Sequence, residues 1–313
     1  MGDQGWAGAE LYLGTSPSQP RRVGITFGLL TAAVLALWVP VPRTWRAGRR
    51  AAVWAVPLAA ALMAALVAGL LTPVGLVSMG ALFGFAVLAA RDPAPLWQTW
   101  VGSLGLLAVA AGLMLHRWPG FQNPQVLSSL LLRPDAAPFS LHLNLDKTLI
   151  GLAVLGLCHP RINGGWEWRL VLRLALPWAA LLIGVLMVVS IRIGFVRWDP
   201  AWPAATPLFL WVNLCFTCFA EEALFRGFLQ ARLSDALAGV AQGQWLAWVV
   251  SSLAFGAAHA AGGVTYVGLA TLAGLGYGWI YRKTRRVEAS ILAHFLLNAV
   301  HFLGFTYPVL AGR

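Results

Sequence analysis

Two adjacent glutamates, Glu221 and Glu222, sit inside an apolar run, Pro207–Leu229, that is long enough to cross a bilayer. The chain has eleven acidic residues, and nowhere else do two adjoin. A charged side chain at membrane depth costs on the order of 3 kcal/mol on insertion scales, so such residues are rare unless they are paired or line a wet cavity. Glu222 and Arg226 are four apart with the acid first, the favourable order for an ion pair on a helix. That pairing neutralises one acid and leaves Glu221, rotated by about 100°, without a partner on its own helix. An unpaired carboxylate in this setting marks a functional site.

Further polar residues interrupt the apolar runs downstream. His259 ends one run, with Phe255 one turn before it on the same face. In the last run His294 and Asn298 are four apart and His301 follows, all within about 40° of one another on a helix. The midpoint between Glu221 and His259 is Val240, inside the turn-forming stretch Ala238–Gly243, so a helical hairpin would bring the two to similar depth. His294 counts out about 15 Å away in depth at 1.5 Å per residue, so a tilted or broken helix must close that gap. These residue types suit water activation. A carboxylate stripped of water becomes a competent general base near neutral pH, and a histidine can orient or deprotonate the same water. A second histidine and an asparagine amide can donate to the oxyanion that develops on a carbonyl. Together they make a peptide-hydrolysing site without a covalent nucleophile.

Glu-Glu-x-x-x-Arg at Glu221–Arg226, Phe-x-x-x-His at Phe255–His259 and His-x-x-x-Asn at His294–Asn298, in that order, resemble the CPBP family of intramembrane glutamic endopeptidases. This family includes the CAAX prenyl proteases of the Rce1 type and many bacterial relatives. The resemblance covers about residues 206–306. It implies that Glu221 and His259 activate water, that His294 and Asn298 stabilise the oxyanion, and that Glu222, Arg226 and Phe255 support them. It calls for no cofactor and no metal. The layout resembles bacterial members, which implies a multi-pass protein of the bacterial cytoplasmic (inner) membrane acting on a membrane-associated protein or peptide. The prenylated substrate of the eukaryotic members does not transfer.

The elements that must position these residues are legible as hydrophobic runs. Hydrophobic residues make up 59% of the 313, charged residues 11%, and the mean hydropathy is +0.73. This composition predicts an all-α polytopic membrane helix bundle of about 8–10 transmembrane helices. A polar N-terminal tail (1–22) precedes N-terminal membrane helices (23–205) with a long polar loop at about 116–147. The protease-like core (206–306) and a C-terminal tail (307–313) follow. The tail at 1–22 lacks the pattern of a signal peptide. The loop at 116–147 reads as interfacial, with a lid or substrate guide as the alternative. A short run at Thr148–Cys158 is re-entrant or interfacial. Gly80/Gly84 and Gly274/Gly278 have the spacing for close helix approach. Cys215 and Cys218 have redox-motif spacing without the strand–helix context, and three cysteines cannot form a disulfide framework, so both read as packing residues.

The net charge of +11 falls mainly between the runs, which points to topology and anionic lipid, with no nucleic acid partner. Ten spans with the N-terminus outside place the Arg43–Arg50 and Arg282–Arg286 clusters inside. That orientation puts the His259 end outside, whereas the eukaryotic relatives open toward the cytosol. Two other readings compete. A zinc-dependent membrane protease would use Glu221, His259 and His294 as ligands, but the His-Glu-x-x-His helix signature is absent. A non-enzymatic scaffold or immunity protein would tolerate loss of Glu221 and His259. Nothing in the sequence specifies an oligomeric state.

Overall fold

The computed structural model describes residues 19–41, 47–91, 93–162 and 164–312. Among these, ten helices follow in order: α1 (Gln19–Ala36), α2 (Ala47–Val67), α3 (Pro73–Ala90), α4 (Leu96–Met114), α5 (Leu145–Ala153), α6 (Gly165–Arg192), α7 (Thr206–Ala236), α8 (Gly243–Ala257), α9 (Gly263–Thr284) and α10 (Val287–Gly304). The architecture is the expected all-α polytopic bundle. A helix satisfies its own backbone, which is why runs this apolar fold so in lipid. Five helices (α3, α4, α6, α7, α10) are each long and apolar enough to cross a membrane, and α8 with α9 makes a sixth if counted as one broken unit.

The helices alternate in direction, because two sets of connections meet at opposite ends. At one end the start of α1 touches the end of α2 through Gln19 Nε2 and Ala68 O (3.4 Å). There Leu71 bridges Phe121, Trp198 bridges Phe305, and Ala136 bridges Leu310. At the other end Glu288 accepts from Trp38 Nε1 (2.9 Å) and from Ile162 N (2.8 Å), and His159 meets Tyr281. Arg232 donates to Ala89 O there, and Arg286 pairs with Glu167. Arg282–Arg286 therefore lies at the second end. Arg43 and Arg46 fall outside the described residues, in the α1–α2 connection that leads from this end.

Helix α7 is the axis of the bundle: 72% of its apolar window is buried, against 28% for α3 and α6. The outer helices present leucine and valine outward, for example Val77, Leu104 and Val188, which is the face a bilayer covers. The short run Thr148–Cys158 is neither interfacial nor exposed. Helix α5 continues as a π turn, Val154–Cys158, and its Leu149, Ile150, Leu152 and Ala153 are wholly buried against α7. Gly151 permits this, since a Cβ there would collide with the Phe219 ring.

The stretch at 116–147 is folded rather than a plain loop. Two antiparallel strands, β1 (Gln125–Leu130) and β2 (Phe139–His142), form a hairpin with an irregular register. Phe139 and Leu141 point inward while Ser140 and His142 point out, the period of two that a half-covered strand needs. Phe139 packs edge-on against Phe209, Phe302 and Tyr307, so the hairpin caps the ends of α7 and α10. Buried Arg133 fixes it there, donating to Asp199 O and Phe302 O.

Candidate active site

The two glutamates occupy a single α-helical turn, Phe219–Glu222, between π-helical stretches Asn213–Cys218 and Ala223–Gln230 of α7. Such departures from α geometry occur frequently at functional sites. Glu222 is wholly buried, and its Oε1 accepts from Arg226 Nη1 (3.0 Å) and from His294 Nδ1 (2.9 Å). The pairing read from the sequence is present, and the same carboxylate also holds a histidine from α10.

Arg226 is enclosed on every side. Its Nη2 donates to Gly274 O (2.9 Å), and its guanidinium lies over the rings of Phe255 (4.5 Å) and Tyr277 (5.3 Å). A Cβ at Gly274 would stand 3.2 Å from Arg226 Nη2 and 3.1 Å from Ser252 O, so glycine is what admits the guanidinium. One turn on, Gln230 Nε2 donates to Gly278 O (3.0 Å). The Gly274/Gly278 pair is thus a close approach between α7, α8 and α9. Gly80 and Gly84 have the same spacing, but nothing stands within 4 Å of a Cβ at either.

His259 lies in the turn between α8 and α9, with Nδ1 2.8 Å from Phe255 O. A carbonyl oxygen only accepts, so Nδ1 carries the hydrogen and Nε2 of the neutral ring holds a lone pair. That Nε2 faces Glu221 Oε2 at 3.8 Å. The separation is too long for a direct hydrogen bond, and both atoms are acceptors. Glu221 Oε2 has no hydrogen-bond partner. Phe255 joins the two halves of the site, with its ring 4.7 Å from His259 and 5.7 Å from His294.

His294, Asn298 and His301 share one wall of a cavity of ≈ 80 Å³ whose other lining residues include Met187, Phe255, His259 and Tyr266. The stripe predicted on the last helix therefore faces a single space. Tyr277 stacks on the His294 ring at 4.6 Å. Asn298 Nδ2 donates to Asn213 Oδ1 (2.9 Å) and lies 3.7 Å from Cys218 Sγ. Cys215 and Cys218 are buried and unoxidised, and Cys218 has polar contacts as well as packing. Sequence reasoning missed Asn213, Cys218 and Tyr277. Asn213 had a signal, a polar side chain inside an apolar run, the same criterion that found the others.

Among the described residues, no three His, Cys, Asp or Glu side chains stand together closely enough to hold a metal ion. The zinc set Glu221, His259 and His294 does not assemble, because His294 is turned to Glu222. What the arrangement offers instead is a pair of acceptors facing each other, of which His259 lines the cavity, with a buried ion-paired cluster behind them.

Comparison with known proteins adds a family. No curated protein and no solved structure matches the chain. Residues 203–300 match the family model described as type II CAAX prenyl endopeptidase Rce1-like, a stretch that contains Glu221, Glu222, Arg226, Phe255, His259, His294 and Asn298. Over residues 203–300, then, this membrane helix bundle is similar to the Rce1-like family of type II CAAX prenyl endopeptidases.

Proposed function

We propose that the protein is an intramembrane endopeptidase of the glutamic type, in which Glu221 and His259 activate a water for attack on a peptide bond of a membrane-associated protein or peptide. The observation that carries this reading is the 3.8 Å between Glu221 Oε2 and His259 Nε2, two acceptors with no donor between them. Acceptors so placed are satisfied by a molecule that donates twice, and one water can reach both at ~2.8 Å. Its oxygen lone pairs are then free to face a carbonyl carbon.

The proton balance follows from the same pair. As the water oxygen bonds to the carbonyl carbon, Glu221 takes its proton. The C–N bond then breaks as Glu221 returns that proton to the departing amine, while the second water proton stays on the carboxyl product, leaving a carboxylic acid and an amine. Charge on the carbonyl oxygen is met by His294 and Asn298. His294 donates from Nδ1 to Glu222, and as imidazolium it also has an Nε2–H to offer. Asn298 keeps one amide hydrogen on Asn213, while its second is held only by a sulfur at 3.7 Å, a weak acceptor that an oxyanion displaces. Glu222 and Arg226 hold His294 and Phe255 in place and do not touch substrate.

A double-mutant cycle on purified protein with a membrane-anchored peptide tests this. Glu221→Gln and His259→Ala should each remove nearly all turnover, and the double variant should be no worse than either, because groups serving one transition state are strongly non-additive. Wild-type turnover in either single variant would remove that residue from the mechanism. A scaffold would retain its function in both.

A further inference from the structure

The cavity beside His259 lies toward one end of the bundle. Its walls come from the last turns of α6 (Met187, Ser190), the start of α9 (Tyr266) and the second half of α10 (Asn298, His301), at the end that carries the hairpin and the C-terminal segment. The rim is the α8–α9 turn, where residues 260–266 are all exposed and Val264 is 91% exposed. Toward the opposite end the way is shut. Arg226, Gln230, Ser251, Ser252 and Tyr277 are fully buried there. They are tied across helices by Arg226–Gly274, Gln230–Gly278 (3.0 Å) and Ser290 Oγ–Tyr277 O (2.9 Å). A separate polar cavity of ≈ 450 Å³ at that far end, beside Arg232, Tyr281 and Arg285, shares no residue with the first.

The shut end is the basic one. It carries Arg282, Lys283, Arg285 and Arg286 in one short connection, and Arg232 lines the cavity beside them. Lys and Arg in short connections mark the cytoplasmic side. We propose that the site takes its substrate from the extracytoplasmic side, so that the scissile bond lies in an outward-facing segment next to or just within the membrane. This rests on the endopeptidase reading of the same site. The small cavity, walled by Leu186, Met187, Leu269, Ala270 and Leu297, admits a single extended strand with an apolar side chain beside the bond, not a folded domain.

Thiol accessibility tests the orientation without using activity. In a Cys158→Ser background, Val264→Cys and Arg285→Cys are each exposed to a membrane-impermeant maleimide. Val264→Cys should react in intact cells, and Arg285→Cys only in inside-out vesicles; the reverse pattern would overturn the proposal. A second arm adds one water-soluble peptide carrying an apolar side chain at the bond to sealed vesicles of either orientation. Cleavage should occur with right-side-out vesicles, and cleavage confined to inside-out vesicles would also overturn it. If the peptide and membrane-anchored substrates survive even in detergent while the labelling is as expected, the endopeptidase reading falls, and with it the substrate class, but the orientation stands.

Discussion

Replacing one of two neighbouring glutamates with glutamine should have opposite consequences for stability. Glu222 is wholly buried, and its Oε1 is the carboxylate partner of Arg226 at 3.0 Å. Without the negative charge, Arg226 keeps the Gly274 carbonyl and two aromatic faces, which leaves a buried cation uncompensated. Breaking a buried pair in this way costs about 3–5 kcal/mol, a fall of roughly two to four orders of magnitude in the folded-to-unfolded ratio. Glu221 differs, since its Oε2 is buried without a partner and faces another acceptor. In Glu221→Gln the new amide can donate to His259 Nε2 once a side-chain shift closes the 3.8 Å between them, so that variant should gain roughly 0.5–1.5 kcal/mol. The assay is thermal unfolding in detergent alongside yield from membranes. Glu222→Gln should melt well below wild type and Glu221→Gln at or above it, and Glu222→Gln/Arg226→Gln should recover part of the loss. Equal melting of the two single variants would refute the assignment of pairing to Glu222 and of function to Glu221.

Other expectations follow from particular contacts. Gly256→Ala places a Cβ against Thr271 Oγ1 and 3.0 Å from Val267 O, so it should destabilise by about 1–3 kcal/mol and lower turnover by shifting His259, whereas Gly80→Ala and Gly84→Ala should leave both within error; melting and turnover measured together check this. Glu288→Ala strands the Trp38 and Ile162 donors and should cost about 1–3 kcal/mol in thermal unfolding, while turnover per folded molecule stays at wild type. Cys218→Ala leaves the Asn298–Asn213 bond in place and should lower kcat by less than about tenfold, which a loss as large as that of Glu221→Gln would contradict.

Much of the site was legible because bilayer physics makes polar residues conspicuous. Glu222–Arg226 follows from helical spacing, and His294, Asn298 and His301 do face one cavity as their common stripe requires. The apparent 15 Å offset of His294 came from assuming that all connections lie at one level. A Cβ at Gly227 would stand 3.0 Å from Val287 Cγ2, so α10 begins level with Gly227, and α7 runs on past it to Ala236. The offset disappears because the α7–α8 turn protrudes, and no broken helix is needed. The second role of Glu222 and the partner of Asn213 were hidden for a different reason. Both are contacts between helices far apart in sequence, and spacing within one helix carries no trace of them. The hairpin was hidden by its shortness, since four alternating residues such as Phe139–His142 weigh little inside a polar stretch.

The central claim is that a carboxylate and an imidazole activate the water directly. Turnover of a membrane-anchored peptide by wild type and Glu221→Gln, both purified and dialysed exhaustively against a chelator, tests it most directly. Wild type should cleave at an unchanged rate with well under one zinc per chain, and Glu221→Gln, folded and at least as stable, should lose about 10³-fold or more, the scale on which removing an essential catalytic group acts. Wild-type activity that vanishes on chelation and returns with stoichiometric zinc, or a Glu221→Gln variant that cleaves like wild type, would contradict the account.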